Sequence, residues 1–382
     1  MLFKWARPWM LVLAGLMLHG LCPAALANTT VVEPVANDIA DGRIPLASVA
    51  LLLPTRSGPL GSAADALRSG FLAAYERNKN SIAISVIEAA DTPADMLAAY
   101  LAASQKFDIL IGPLSRTGIT AIVQSGKISK PTIALTQPDL SADNEAALPQ
   151  LLLPIGLSIE TEARQVADWM SAERGPGKVF VVATNVSWQK RVANAFAQQA
   201  ANVGMRADVM QLSMAQGVAN PGALEQLKQR IQTENPSALF VALTADQALQ
   251  VRSAVGADTP MYGISQLNAV GKDDSHPLTG LDGVRLLDIP WLLMADKPSM
   301  MAYPRQANGA AGAPNLDLAR LYALGIDAFN VTRQIAARNP AFQINGATGK
   351  LNVGFGVGTP AFDRAETTAV YENGVAVPLD GR

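Results

Sequence analysis

The stretch ALLLPTRSGPLGSAADALRSGFLAAY, residues 50–75, decides the fold of this chain. Residues 50–53 are a continuous apolar run that predicts a buried strand, residues 57–61 form a loop with two glycines and a proline, and a helix is predicted to begin at Ser62. A helix placed this closely after a strand aims its unpaired N–H groups beyond the carboxyl end of the strand. The arrangement is typical of one wall of a binding site.

The same succession of strand, turn and helix recurs at residues 108–122. An apolar strand at residues 109–111 leads into a Gly-Pro-Leu turn, and Ser115 or Thr117 is positioned to cap the next helix. Two such turns side by side would form one wall of a cleft, which favours binding over catalysis.

Residues 1–27 have the features of a cleavable secretory signal. Lys4 and Arg7 precede the apolar run of residues 10–18, and Ala-Leu-Ala ends at Ala27. The alternative, a retained membrane anchor, is disfavoured because nine residues are too few to span a bilayer. We therefore expect a periplasmic protein without a transmembrane segment in the mature chain.

Cys22 raises the question of a lipid anchor in the outer membrane. A lipid-modified cysteine follows a small residue, whereas Leu21 precedes Cys22 and Pro23 follows it, so the sequence disfavours lipid attachment. Cleavage after Ala27 would remove this single cysteine, and we therefore expect no disulfide, thiol nucleophile or thiolate metal site.

The remaining composition argues against several classes of function. Loss of the signal would leave His276 as the one histidine, in a polar segment that predicts a solvated loop, so we expect neither a histidine-dependent hydrolase nor a metal site. The formal net charge is −2 and no basic stripe is present, which disfavours nucleic acid as a partner. No nucleotide-binding or acyl-transfer motif occurs, and we expect no cofactor and no enzymatic activity.

Strands and helices alternate along the chain, which predicts parallel sheets covered by helices on both faces. Residues from 342 onward alternate apolar and polar and predict short antiparallel strands. The predicted strands cover residues 49–53, 82–88, 108–111, 132–135, 179–183, 207–212, 239–243, 261–264 and 284–289, and the predicted helices residues 62–78, 93–104, 117–125, 159–173, 188–203, 223–234, 246–255, 298–303 and 316–337.

This order predicts an α/β protein with two doubly wound parallel-sheet lobes joined by a multi-strand hinge. Within the long helix, we expect Gly325 to allow close helix approach and Asp327 to hold a neighbouring backbone group. The predicted division is a linker at residues 28–43, lobe 1 at residues 44–156 and 265–338, and lobe 2 at residues 157–264 and 339–382.

The chain resembles two related groups of periplasmic proteins. The LIGPL motif at residues 110–114 and the two-lobe order resemble the type 1 periplasmic binding fold of branched-chain amino acid receptors. Four segments of the second half are similar to the C-terminal domain of the LpoA-type penicillin-binding protein activators: KRVANAFA at residues 190–197, residues 281–290, LARLYALGIDA at residues 318–328 and FQINGATG at residues 342–349.

The second resemblance implies a non-enzymatic activator that docks on a class A penicillin-binding protein and stimulates peptidoglycan synthesis. The first implies an alternative function, a solute receptor that closes on an amino acid or similar small anion and delivers it to an ABC transporter permease. Both functions use the same fold.

The receptor resemblance implies a set of ligand-cleft candidates. They are Ser57, Ser115, Arg116, Thr136 and Gln137 from the first lobe and Trp188 from the second. A carboxylate ligand would suit the exposed N–H groups near Ser115 and a bidentate contact from Arg116. Helix capping is the alternative role for Ser115, and packing between the lobes is the alternative for Trp188.

Arg191 and Asn194 are candidates for a partner-binding surface. They lie three residues apart and, together with Trp188, share one face of the predicted helix. They also fall inside the activator-like segment. An ordinary solvated helix face is the alternative interpretation.

Overall fold

Two parallel sheets flanked by helices position the functional residues of this chain. The computed structural model describes residues 29–30, 47–78, 82–140, 148–269, 278–305 and 315–379. The predicted signal segment, Cys22, nearly all of the predicted linker and His276 lie outside these residues.

The first part of the chain forms a sheet in which all strands but the first run parallel. The parallel strands are almost completely buried, as expected for a sheet covered on both faces. Its elements are β1 (Thr29–Thr30), β2 (Ala47–Pro54), α1 (Gly61–Arg77), β3 (Ile82–Ala89), α2 (Pro93–Ser104), β4 (Ile109–Ile111), α3 (Arg116–Gln124), β5 (Thr132–Ala134) and β6 (Leu152–Pro154). Across the sheet the order is β1-β3-β2-β4-β5-β6.

The middle of the chain builds the second sheet. Its elements are α4 (Ile159–Arg174), β7 (Lys178–Ala183), α5 (Ser187–Asn202), β8 (Arg206–Gln211), β9 (Met214–Ala215), β10 (Val218–Ala219), α6 (Pro221–Glu234), β11 (Ala238–Ala242), α7 (Ala245–Val255), β12 (Met261–Gly263) and β13 (Arg285–Asp288). Strands β8, β7, β11, β12 and β13 are neighbours in this order and run parallel. Short 3-10 turns at Ser265–Leu267 and Thr279–Leu281 lie between β12 and β13.

The last part of the chain returns to both lobes. It comprises α8 (Pro290–Leu293), α9 (Pro298–Met301), α10 (Leu316–Ala336), β14 (Ala341–Asn345), β15 (Lys350–Gly354), β16 (Ala361–Ala365), β17 (Thr367–Glu372) and β18 (Val375–Pro378). Strands β14, β15 and β16 form a small antiparallel sheet whose Leu351 and Val353 pack into the core of the first lobe. Strand β17 pairs antiparallel with β13, and β18 completes the second sheet.

The chain therefore passes between the lobes three times. The first crossing joins β6 to α4, the second joins β13 to α8, and the third, at Glu366, joins β16 to β17. Residues 155–162, 288–290 and 364–367 surround these crossings, and we refer to them, together with the side chains of Arg320, Asp327 and Thr348 that are bonded at the crossings, as the hinge. The predicted α/β fold of two parallel-sheet lobes with a multi-strand hinge is confirmed.

Two segments depart from the predicted lobe boundaries. Strand β13 falls within the segment assigned to lobe 1, residues 265–338, but it pairs with β12 and β17 in the second sheet. Strands β14 to β16 fall within the segment assigned to lobe 2, residues 339–382, but their apolar face covers the first core. Strand pairing and apolar burial, rather than position in the sequence, thus determine which lobe a segment joins.

Helices α1 and α5 each begin one residue before their predicted starts, at Gly61 and Ser187. Helix α1 has Leu60 at its N-cap and α5 has Val186, and neither residue makes a side-chain capping hydrogen bond. Ser62 and Ser187 lie in the first turns of these helices.

Helices α1 and α10 approach each other closely because each carries a glycine at the contact. A Cβ atom added at Gly325 would lie 2.1 Å from the carbonyl oxygen of Leu67, and one added at Gly70 would lie 1.9 Å from that of Tyr322. Both obstacles are backbone atoms, so no rotamer change relieves the clash. The predicted role of Gly325 in close helix approach is confirmed.

We expect Gly325→Ala to lower the free energy of unfolding by about 3 kcal/mol, because the two helices must separate to admit the methyl group. Urea denaturation measures this effect as a lower midpoint. The matched control is Gly354→Ala, whose added Cβ would make an ordinary 3.7 Å contact with Ala361. A Gly325→Ala protein as stable as this control would contradict the packing described.

Candidate functional site

Five of the six predicted cleft residues lie at one edge of the first sheet. Ser57 follows β2, Ser115 and Arg116 follow β4, and Thr136 and Gln137 follow β5. Because these strands are parallel, their carboxyl ends meet at the same edge. These five residues therefore lie along one wall, as predicted. Their role in holding a ligand stays a prediction.

Two of these residues have structural roles. Ser115 is buried at the N-cap of α3, where its Oγ accepts a hydrogen bond from the Gly118 N–H at 3.3 Å. Thr136 lies against the first crossing, because a Cβ added at Gly156 would be 2.5 Å from its Cα atom. Ser57 and Arg116 are exposed and have side chains available to a ligand.

Trp188 lies on the second lobe, in the first turn of α5 after β7. Its half-buried ring packs against the core beneath α4 and α5, alongside Ile159. Within the described part of the chain, no hydrogen bond joins Trp188 to the five residues of the first wall. Its packing within the second lobe gives this side chain a structural role.

A chain of hydrogen bonds that the sequence analysis missed lies beside Trp188. Gln189 Oε1 accepts from the Thr184 N–H at 3.0 Å and from its hydroxyl at 2.6 Å, while Gln189 Nε2 donates to Gln247 Oε1 at 2.8 Å. Gln247 Oε1 also accepts from the Thr244 N–H. The capping-box spacing of Thr244 and Gln247 was a readable signal. These groups at the edge of the second sheet are therefore bonded to one another.

The two candidates for a partner surface, Arg191 and Asn194, are both exposed on α5. Arg191 Nε donates to Glu160 Oε1 at 2.7 Å and so links α5 to α4. Burial acts to raise the pKa of Glu160, but hydrogen bonds from Arg191 and from its own backbone outweigh it and lower the pKa. The Arg191 side chain remains half exposed and accessible to a partner.

The most concentrated polar chemistry of the described residues lies in the hinge. Asp327 on α10 is completely buried and accepts hydrogen bonds from the N–H groups of Ala347 at 2.8 Å and Thr348 at 2.7 Å and from the Thr348 hydroxyl at 2.6 Å. Burial raises the pKa of Asp327 while these donors partly offset it. The prediction that Asp327 holds neighbouring backbone groups is confirmed.

Arg364 connects this cluster to the first crossing. Its Nε donates to Thr348 Oγ1 at 3.0 Å, its Nη1 to the carbonyl oxygen of Gly156 at 3.0 Å and its Nη2 to that of Ile155 at 2.5 Å. The side chain is buried, which lowers the pKa of Arg364. One guanidinium on the last strand before the third crossing thus holds the backbone of the first.

A second guanidinium, Arg320 on α10, holds the second crossing. It binds Asp288 bidentately, with Nε to Oδ1 at 3.0 Å and Nη2 to Oδ2 at 2.7 Å, and its Nη2 also donates to the carbonyl oxygen of Ser265 at 3.0 Å. The N–H of Ser265 donates to Glu162 Oε2 on α4 at 2.9 Å. Burial acts to lower the pKa of Arg320, but the charge and hydrogen bonds of Asp288 raise it.

Sequence analysis identified Asp327 but missed Glu162, Asp288, Arg320 and Arg364. Their partners lie far away in the sequence, so no short motif reports them. The one available signal was a charged residue inside an apolar run, as for Asp288 after two leucines.

Three of the hinge carboxylates, Glu162, Asp288 and Asp327, accept hydrogen bonds from Arg320, from the Thr348 hydroxyl or from backbone N–H groups. Across the described ranges, no group of three or more His, Cys, Asp or Glu side chains is placed to hold a metal ion. In those same ranges, no helix is both long and apolar enough to cross a membrane.

Comparison with known proteins identifies relatives over most of the chain. The sequence model of the LppC putative lipoprotein family matches residues 39–358. The penicillin-binding protein activator LpoA of Yersinia pseudotuberculosis is 24% identical, with 94% of this chain and 64% of the relative covered. LpoA of Serratia proteamaculans is also 24% identical, with 77% of this chain and 47% of the relative covered. The chain thus spans about half to two thirds of the length of these curated relatives.

Solved structures with the same fold support the architecture. The LpoA C-domain of Haemophilus influenzae, described as a regulator of PBP1A, superposes with a TM-score of 0.68 at 22% identity, covering 87% of this chain and 99% of that one. A putative branched-chain amino acid ABC transporter protein of Chromobacterium violaceum gives a TM-score of 0.68 at 30% identity, covering 86% and 100%. The predicted type 1 periplasmic binding fold is confirmed.

The family description also bears on location. It indicates a lipoprotein of the cell envelope, in agreement with the predicted export, whereas the residues around Cys22 disfavoured lipid attachment. Because the family model matches most of the sequence, the chain belongs to the LppC family of putative lipoproteins.

Proposed function

We propose that this protein is a non-enzymatic regulator of peptidoglycan synthesis in the periplasm that docks on a class A penicillin-binding protein. The observation that carries the proposal is the set of eight curated relatives named penicillin-binding protein activator LpoA, one of which aligns with 94% of this chain. The type 1 binding fold would then serve as a platform for a protein partner.

The geometry of the cleft edge supports docking over ligand capture. Ser115 is used as a helix cap, and Thr184, Gln189 and Gln247 satisfy one another at the edge of the second sheet. A ligand that contacted Ser115, Thr184, Gln189 or Gln247 would have to displace these hydrogen bonds, each of which stabilises the fold by about 1 kcal/mol.

The hinge supports the same conclusion. A solute receptor closes by rotation at its crossings, with a few backbone dihedral angles absorbing the change. Here Arg364 and Arg320 are buried against the backbone and the carboxylate of two crossings. Breaking such charge-assisted bonds in a buried site is costly, so the crossings resist rotation.

The alternative is a periplasmic solute receptor of an ABC transporter for amino acids or similar small anions. The observation that favours it is the 30% identity with the Chromobacterium violaceum protein, whose whole length is covered. In this function Ser57, Arg116, Thr136 and Gln137 would contact the ligand from the first lobe and Trp188 from the second.

Addition of the purified protein to a class A penicillin-binding protein is expected to raise the rate of glycan polymerisation, measured with lipid-linked precursor. Docking would hold the synthase in its active conformation, and the two proteins should also co-sediment. Unchanged polymerisation together with independent sedimentation would contradict the proposed function. The same protein after thermal unfolding is the control.

The double variant Arg191→Ala with Asn194→Ala tests the exposed face of α5 in the same assay. We expect docking to weaken by about tenfold, or about 1.4 kcal/mol. The free energy of unfolding should change by less than about 1 kcal/mol, because Arg191, one partner of the ion pair with Glu160, is half exposed. Arg206→Ala, an exposed arginine on β8 of the same lobe, is the matched control and should dock normally. If the double variant docked as tightly as this control, the exposed face of α5 would not be part of the interface.

Thermal unfolding in the presence of a panel of amino acids separates the two functions. We expect no stabilisation by any member, because the cleft edge carries internally bonded groups. A true ligand at 100 times its dissociation constant would add about 2.7 kcal/mol to the free energy of unfolding. A clear rise in melting temperature with one amino acid, abolished by Arg116→Ala, would instead establish the solute receptor.

A further inference from the structure

The hinge contains more buried acidic groups than basic ones. Among the described residues, Asp288 is paired with an arginine, whereas Asp327 is held by three hydrogen bonds and Glu162 by one from the Ser265 N–H. The acidic groups are Glu162, Asp288, Asp327 and Glu366, and the basic groups are Arg320 and Arg364.

Glu366 is the residue of the third crossing, and its geometry is unusual. Its Oε2 atom is fully buried and has no hydrogen-bond partner among the described residues, although the residue as a whole is partly exposed. Its backbone N–H donates to Gln165 Oε1 on α4 at 3.0 Å. An ionised carboxylate with a buried, unpartnered oxygen is strongly destabilising, whereas a neutral carboxyl group is tolerated at much lower cost.

Glu162 faces the same space from α4. It lies one turn before Gln165 and therefore on the same side of the helix. Burial raises the pKa of Glu162 to about 7, the charge of Asp288 adds to the rise, and the hydrogen bond from Ser265 and the charge of Arg320 oppose it. Burial also raises the pKa of Glu366 well above its usual range, and the charge of Glu162 adds to that rise.

We propose that Glu162 and Glu366 form a proton-operated latch between α4 and the third crossing: a proton on the pair keeps the hinge closed, and its loss loosens the hinge. The charged groups facing the pair are Arg320 from α10, Asp288 from β13 and Arg364 from β16, and Asp327 and Asp363 act in turn on Arg364. With both glutamates ionised, the buried negative charges exceed the two arginines. Water must then enter between α4 and residues 364–367, which separates the crossings.

The sign of the effect follows from the difference between folded and unfolded states. Both carboxyl groups bind protons more tightly when folded, so their contribution to stability is complete at acidic pH and is lost as pH rises through the folded pKa values. For Glu162, with a pKa near 4.5 in the unfolded chain and about 7 when folded, the loss reaches about 300-fold in the unfolding equilibrium. The latch does not depend on the proposed partner.

Urea unfolding of the full chain from about pH 5 to about pH 8 tests the latch in the wild type, Glu162→Gln and Glu366→Gln. We expect each glutamine variant to lose less stability with rising pH than the wild type, by about 70-fold in the unfolding equilibrium for Glu162→Gln across this range. Glu160→Gln is the matched control on the same helix: the pKa of Glu160 is lowered from 4.5, so this group stays ionised from about pH 5 to about pH 8 and its removal should leave the pH profile parallel to that of the wild type. Parallel pH profiles of the wild type and both latch variants would overturn the proposal.

Hydrogen exchange provides a second readout that needs only the wild type to fold. After correction for intrinsic rates, amides of residues 155–165 and 364–372 should lose protection between about pH 6 and about pH 8, and they should lose more than the amides of β7, which report the fall in global stability alone. Equal protection of the hinge amides across this range would overturn the latch even if both glutamine variants failed to fold.

Discussion

The structure depends on one buried interaction, the guanidinium group of Arg364 held between Thr348 Oγ1 and the carbonyl oxygens of Ile155 and Gly156. Each lobe has an apolar core that would form without it. The crossings, however, are backbone segments between two cores, with polar groups that neither core can satisfy. A planar donor with five N–H groups meets this requirement, since it binds several acceptors at once.

Asp327 and Arg320 extend this constraint along α10. The Thr348 hydroxyl donates to Asp327 and accepts from Arg364, and this link joins the helix to the first and third crossings. Arg320 joins the helix to the second crossing through its ion pair with Asp288. The long helix therefore spans the points at which the chain changes lobes. Helix α10 therefore packs in the core of the first lobe and also contacts the segments that connect the two lobes.

The sequence predicted the fold well because apolar periodicity is a local property. Continuous apolar runs gave the parallel strands, and Gly325 and Asp327 were correctly given structural roles. The lobe assignment of β13 was wrong because it followed position in the sequence, whereas β13 pairs with β12 and β17 of the second sheet. The first wall of the cleft was predictable because the carboxyl ends of parallel strands coincide. The hinge network could not be predicted, because it joins residues up to about two hundred positions apart with no repeating spacing.

The cleft edge thus carries polar groups bonded to one another, and the hinge is held by buried guanidinium groups. The most direct test of this fastening is native-state hydrogen exchange in the wild type and in Arg364→Met. We predict that the core amides of β2 and β7 share one opening free energy in the wild type and separate by about 1 kcal/mol or more in the variant. Equal values for both lobes in the variant, or unequal values already in the wild type, would contradict the account.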